Sequence, residues 1–204
     1  MKQSGSWLRF GLNHDIQIIV IEPLFEEANR CRRLIAEVMR GLDTRGVGSS
    51  VADLPGTGES PVDIADVRLA DWHAATKRLA PLMIASFRGG ALIDDVGCLG
   101  NWRFAPETGR RIVRDLKRTT LTCENRTLYA GHALREQFLA ELELATPAPR
   151  ASLRTVRLET DADEADIKFP GSPLWRRAEP GEDPALAFAL STDLADWARR
   201  CASS

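Results

Sequence analysis

Pro81-Leu-Met-Ile-Ala-Ser-Phe-Arg-Gly-Gly-Ala91 is the stretch on which the reading of the fold turns. Its apolar run, Leu82–Ala85, predicts a buried strand, because it is too short for a free-standing helix and ends in two glycines. A helix-like run (Ala91, Leu92, Ile93) follows, so the segment reads as strand, sharp turn, helix. The turn is centred on Arg88, with the small Ser86 two residues before it and Gly90 two residues after. An arginine stays protonated at any useful pH and is no nucleophile. Moving the centre to Ser86 puts Arg88 where a glycine is needed and Ile84 where a small residue is needed. The plainer alternative is that Gly89-Gly90 makes a tight β–α connection of the kind any parallel sheet uses.

The flanking chain alternates strand and helix patterns. Ile16–Ile21 is almost unbroken and β-branched, as a central parallel strand covered on both faces would be. From about Glu26, the residues Cys31, Leu34, Ile35, Val38 and Leu42 form one apolar helical stripe closed by Gly46 and Gly48. Ser49–Leu54 predicts the next strand, and its ordered part is taken as Ser49–Asp53. Ala65, Leu69, Trp72, Thr76 and Leu79 repeat at helical spacing, with Trp72 as a core anchor. After the turn come a strand over Asn101–Ala105, a helix over Thr108–Arg118 and an ambiguous Leu121–Ala130. A helix over Leu134–Leu144 and a strand over Leu153–Leu158 follow. The acidic loop Asp161–Asp166 leads to a short strand over Asp166–Phe169, and Pro170–Pro173 is irregular. The last helix is signalled by Asp183 as N-cap and Pro184 in its first turn. The pattern predicts an α/β fold with a mostly parallel central sheet, as one domain over residues 1–204.

Composition excludes several classes. The 204 residues carry a net charge of −2 and show no basic face of the kind nucleic acid requires. No run reaches the length of a membrane span. Asn13-His14-Asp15 interrupts any signal-peptide h-region, so a cytoplasmic location is expected. Cys31, Cys98, Cys123 and Cys201 are widely spaced and read as reduced thiols, with no metal site and no cofactor motif. Asp53-Leu-Pro-Gly-Thr-Gly-Glu-Ser60 offers two glycines, but Pro61 stands where a dinucleotide fingerprint needs a third, and the Gly-Lys-Ser/Thr of a P-loop is absent.

The strand ending at Glu22-Pro23-Leu24-Phe25, the Asp53-x-x-Gly56-x-Gly58-x-Ser60 loop and the turn around Arg88 stand in an order that resembles the α/β-hydrolases, whose nucleophile elbow is small-x-nucleophile-x-Gly. A closer resemblance is to the second hydrolase-like protein associated with the exosortase A (PEP-CTERM) system of exopolysaccharide-producing bacteria. It is carried by Pro23-Leu-Phe-Glu-Glu-Ala-Asn-Arg-Cys-Arg-Arg33, Asp53–Ser60, Phe87-Arg-Gly-Gly-Ala91, Trp102–Leu116 and Pro170-Gly-Ser-Pro-Leu-Trp175. The resemblance implies a three-layer α/β-hydrolase-like fold trimmed at its N-terminus, with arginine at the elbow centre as a family feature. The chain departs from the family in having little room for an opening hairpin, and in Glu22-Pro23 where a Pro-Pro pair is usual.

A serine hydrolase of this fold needs nucleophile, acid and a late histidine, in that order. The histidines here are His14, His73 and His132, and none follows the Leu153–Leu158 strand, where the base belongs. His14 reads as part of a polar turn and His73 as a solvent-facing helix residue. His132 is the one with no plain role. The standard triad is therefore not expected, and the site is expected to be degenerate. The catalytic candidates that remain are Glu26, Glu27 and His132. The elbow helix N-terminus, Arg88 and Gly89, with Glu22, Leu24 and Phe25, suggests a pocket for a small anionic or acyl ligand. Against that, Arg88 pairing internally with Glu22, Glu26 or Glu27 is favoured, since a buried guanidinium needs a partner. Three functional classes stay open: a binding or accessory protein of surface-polysaccharide assembly with a protein partner, a hydrolase or acyl-transfer enzyme using Glu26 or Glu27, and a scaffold acting through its surface.

Overall fold

The computed structural model describes residues 8–58, 60–79, 83–95, 99–123 and 126–203. Pro81, Leu82 and Cys98, which figure in the sequence reading, lie outside the described residues. The elements in chain order are β1 (Arg9–Phe10), β2 (Ile16–Ile21), α1 (Glu26–Asp43), β3 (Val47–Val51), α2 (Leu69–Lys77), β4 (Met83–Phe87) and β5 (Gly100–Phe104). They continue with α3 (Gly109–Arg118), β6 (Thr120–Cys123), β7 (Arg126–Tyr129), α4 (Glu136–Leu144), β8 (Leu153–Leu158), β9 (Ile167–Phe169) and α5 (Pro184–Ala202).

Seven strands form one sheet in the order β1-β3-β2-β4-β5-β8-β9. All neighbours are parallel except β1, which runs antiparallel to β3 at the edge. The side-chain period of two explains why β2 is apolar without a break from Ile18 to Ile21. Ile18 and Val20 point to the face covered by α1 and α5, whereas Ile19 and Ile21 point to the face covered by α2, α3 and α4. This is the expected three-layer, mostly parallel α/β architecture. The ambiguous Leu121–Ala130 region resolves as a separate β6–β7 hairpin.

Two expectations about the elements need correction. The β3 strand begins two residues earlier than Ser49 and ends at Val51, because its register follows Ile16–Val20 of β2 from Val47 onward. The continuous helix expected over Ala65–Leu79 is broken. A 3-10 turn at Ile64–Asp66 is capped by Asp63, and Val67 and Arg68 are extended before α2 starts at Leu69. Asp71 accepts the Arg68 N–H at 2.8 Å, which fixes the new start. Trp72 is the anchor expected of it, 1% exposed, with its indole N–H donated to the Pro55 carbonyl at 2.8 Å. At the other end of the chain, Asp183 caps α5 by accepting the Leu186 N–H at 3.1 Å, with Pro184 in the first turn. Among the described residues no helix is long and apolar enough to cross a membrane.

Candidate functional site

At the C-terminal end of β4 the chain reverses at Arg88, whose φ of 52° lies in the left-handed region that a side chain rarely adopts. Two glycines make the reversal fit. A Cβ on Gly90 would lie 2.7 Å from the Glu22 carbonyl oxygen, and one on Gly89 would lie 2.6 Å from Ile112 Cδ1. The elbow geometry is therefore present, but the α-helix expected after it is not. Arg88–Leu92 is a short 3-10 helix, and Asp94, two residues beyond it, is turned into the core. No helix N-terminus is available here to receive an anion.

Arg88 is 7% exposed and fully engaged. Its Nε and Nη2 donate to the two carboxylate oxygens of Glu27, both at 3.1 Å, in the fork geometry that suits a guanidinium. Nη1 donates to the Ala105 carbonyl at 3.0 Å, and Nη2 also reaches Glu107 at 3.3 Å. The Trp175 ring lies against the guanidinium, 4.3 Å from its carbon to the ring centroid. Of the three carboxylates considered from sequence, Glu27 is thus the partner. Glu107 and Trp175 were not anticipated. Trp175 belongs to a 3-10 turn, Leu174–Arg176, that follows β9, the segment where hydrolases of this fold carry their histidine.

Ser86 is no substitute nucleophile. It is fully buried, and its hydroxyl donates to Asp94 Oδ2 at 2.7 Å. Asp94 in turn holds Arg103 through bonds of 2.8 and 2.6 Å, and its carbonyl accepts from Asn101 at 3.0 Å. This closed network ties β4, β5 and the elbow turn together. The region that would supply a catalytic acid, after β8, is occupied by an ion pair of Asp161 with Arg157 at 2.6 Å.

The other sequence candidates gather on the opposite side of the β2–α1 junction. Glu22, Leu24, Phe25, Trp72 and His132 line one cavity of about 250 Å³, with Asn29, Arg32 and Asp53 at its polar side. Arg88, Gly89, Glu26 and Glu27 are not among its lining residues. Phe25, at φ 57°, leads into α1 and turns its ring toward Trp72 (centroids 5.8 Å apart) and His132 (5.5 Å). Burial pushes the Glu22 carboxyl up to about 7, with the Arg32 charge opposing it. His132 Nε2 is closed off from solvent, and Glu26 Oε1 stands 3.7 Å away, beyond hydrogen-bond reach. The other two histidines lie elsewhere. His14 bonds Asp43 at 2.8 Å. His73 is half-buried on α2 rather than solvent-facing, and burial lowers its pKa.

The fold is α/β-hydrolase-like. A structure of Est1E from Butyrivibrio proteoclasticus with ferulic acid bound superposes with a TM-score of 0.63 over 93% of this chain and 94% of that one, at 14% identity. Alpha/beta hydrolase domain-containing protein 10 from mouse gives a TM-score of 0.58, with 93% and 92% of the two chains covered and 13% identity. At that identity the likeness establishes the α/β-hydrolase fold and not the chemistry. No family model matches the chain, and no curated protein matches its sequence.

Proposed function

We propose that this protein uses the α/β-hydrolase fold without hydrolysis, as a cytoplasmic accessory or binding protein in exopolysaccharide or exosortase-linked surface assembly. The observation that carries the non-hydrolytic part is the Arg88–Glu27 fork at the elbow centre, backed by Trp175. A nucleophile would have to stand where the guanidinium is, and a base would have to stand near the indole. Removal of the members of a triad leaves little of its rate, because they act as a unit. The surface-assembly part is supported by the segments quoted above, Pro23–Arg33 and Phe87–Ala91 foremost. It gains nothing from the structural neighbours.

The test is a panel of short- and medium-chain p-nitrophenyl esters and acyl thioesters, together with a fluorophosphonate probe. The expected result is turnover at the buffer rate and no labelled serine. Stoichiometric labelling at any serine, mapped by peptide mass, overturns the proposal. For the assembly part, deleting the gene in its own host should impair surface-polysaccharide or sorted-protein display, and an unchanged surface refutes it.

A second reading keeps catalysis on different groups. Glu26 and His132 approach to 3.7 Å at the cavity's edge, a carboxylate–imidazole pair that could orient a water for attack on an ester or thioester. Glu27, the other candidate, is committed to Arg88. Turnover that disappears in Glu26→Ala would support this reading over the first.

A further inference from the structure

We propose that the cavity between Glu22 and His132 binds a neutral, polyhydroxylated six-membered ring, a pyranose or a closely similar polyol. This deepens the binding reading above and rests on it. The cavity holds hydrogen-bonding capacity that the chain leaves unused. Polar groups with little access to water are normally bonded within the protein. Here, among the described residues, the largely buried Glu22 carboxyl makes no hydrogen bond to the protein and His132 Nε2 is buried without one, while the side chains of Asn29 and Asp53, exposed at the rim of the same cavity, are bonded to no other part of the chain. These groups converge on one space that nothing in the chain fills.

Their chemistry selects the ligand. Asp53 accepts only, and the Asn29 amide both donates and accepts. The Glu22 carboxyl, held near 7 by burial, is part protonated at neutral pH and can do either. A hydroxyl is one donor with two acceptor sites, so adjacent hydroxyls on a ring can satisfy such a mixed set. A simple anion cannot, because Glu22 and Asp53 would repel it and the Arg88 charge is already neutralised by Glu27. A simple cation is opposed by Arg32. The half-buried Phe25 ring, backed by the buried Trp72, gives the apolar surface against which the C–H face of a sugar ring can lie. The volume of about 250 Å³ is below the roughly 300–1,000 Å³ usual for drug-sized ligands, which favours a single ring. Asn29 and Arg32 also line a second, more open groove along α1, so a substituent on the ring has somewhere to run.

The experiment uses the full chain and the methyl pyranosides of glucose, galactose and mannose, with acetate, phosphate and benzylamine as the anionic and cationic controls. Saturation-transfer NMR detects contact and calorimetry gives affinity. At least one methyl pyranoside should bind in the millimolar range with saturation on its ring protons, more tightly than any control. Asn29→Ala and Asp53→Ala, both at exposed positions, should each weaken it by about tenfold. Three results overturn the inference: no pyranoside binds at tens of millimolar, binding is unchanged in both variants, or a control binds more tightly. The two proposals fail separately. Ester turnover would end the non-hydrolytic reading, whereas silence in both assays would end only this one.

Discussion

Replacing Arg88 by alanine should cost about 3 kcal/mol of stability, near the lower end of the roughly 3–5 kcal/mol expected when one partner of a buried ion pair is removed. The loss has identifiable parts. Four hydrogen bonds go, and the carboxylates of Glu27 and Glu107, both now within 3.3 Å of the same Nη2, are left without their cation. The contact with Trp175 goes as well. The lower end applies because the Glu27 side chain keeps 22% of its surface in water and can be rehydrated. With a denaturant slope of about 2 kcal/mol/M, the urea midpoint should fall by about 1.5 M. Arg88→Gly loses the same contacts but relieves the φ of 52°, so it should be about 1 kcal/mol more stable than the alanine variant. A double-mutant cycle with Glu27→Ala should show a coupling on the order of 2 kcal/mol. The reasoning is refuted if Arg88→Ala loses less than about 1 kcal/mol, or if the two substitutions add to within about 0.5 kcal/mol.

Arg88→Ser places a hydroxyl at the elbow centre but supplies no base, so p-nitrophenyl acetate hydrolysis should stay at the buffer rate; saturable turnover would show that a base is in reach after all. Glu22 has a folded pKa near 7, above its ordinary 4.5, so between those values the native state holds a proton that the unfolded chain has lost. Stability should therefore be highest below about pH 4.5 as far as this group is concerned, and should fall by about 2–3 kcal/mol as pH rises through 7. Glu22→Gln should remove that decline and be the more stable protein at pH 8 in urea titrations, and an identical pH profile for the two would sink the assignment. The Cys31 thiol is pushed up to about 12, first by burial and then by the Glu27 charge, so iodoacetamide at pH 8 should leave it unmodified until the protein unfolds. Peptide mapping that finds native Cys31 alkylated as fast as a free thiol would contradict this.

What could be read from the sequence follows the range of the interaction responsible. The β2 and β8 strands were legible to the residue, because unbroken or alternating apolar character is a local signal of burial. The start of α5 was legible because Asp183-Pro184 is a local cap. The pairing of Arg88 was legible in part: a charge at a tight, inward turn needs a partner, and α1 begins with carboxylates. Glu107 and Trp175 could not be seen, since they reach Arg88 from the ends of β5 and β9. The Ser86–Asp94–Arg103 network was missed for the same reason. The α-helix expected where a 3-10 turn stands rested on the short run Ala91, Leu92, Ile93. A local apolar run carried no sign that the next residue would be pulled into the core by Arg103.

The elbow keeps a strained turn with an arginine at its centre. A residue other than glycine at a φ near 52° carries about 1–2 kcal/mol of strain, which in a hydrolase is maintained because it exposes the nucleophile. In this chain Arg88 offsets that strain by joining segments that the sheet alone leaves apart. It reaches the start of α1 through Glu27, the end of β5 through Ala105 and Glu107, and the turn after β9 through Trp175. All of them lie at the C-terminal edge of the parallel strands, where open α/β sheets place their ligands. The Arg88 guanidinium and the Trp175 indole lie against each other at that edge. The cavity that does remain lies on the far side of the β2–α1 junction, and its lining comes from the residues that follow β2 and β3 rather than from β4. On the proposed reading, a ligand taken up there would meet Glu22 and His132 and not the elbow centre.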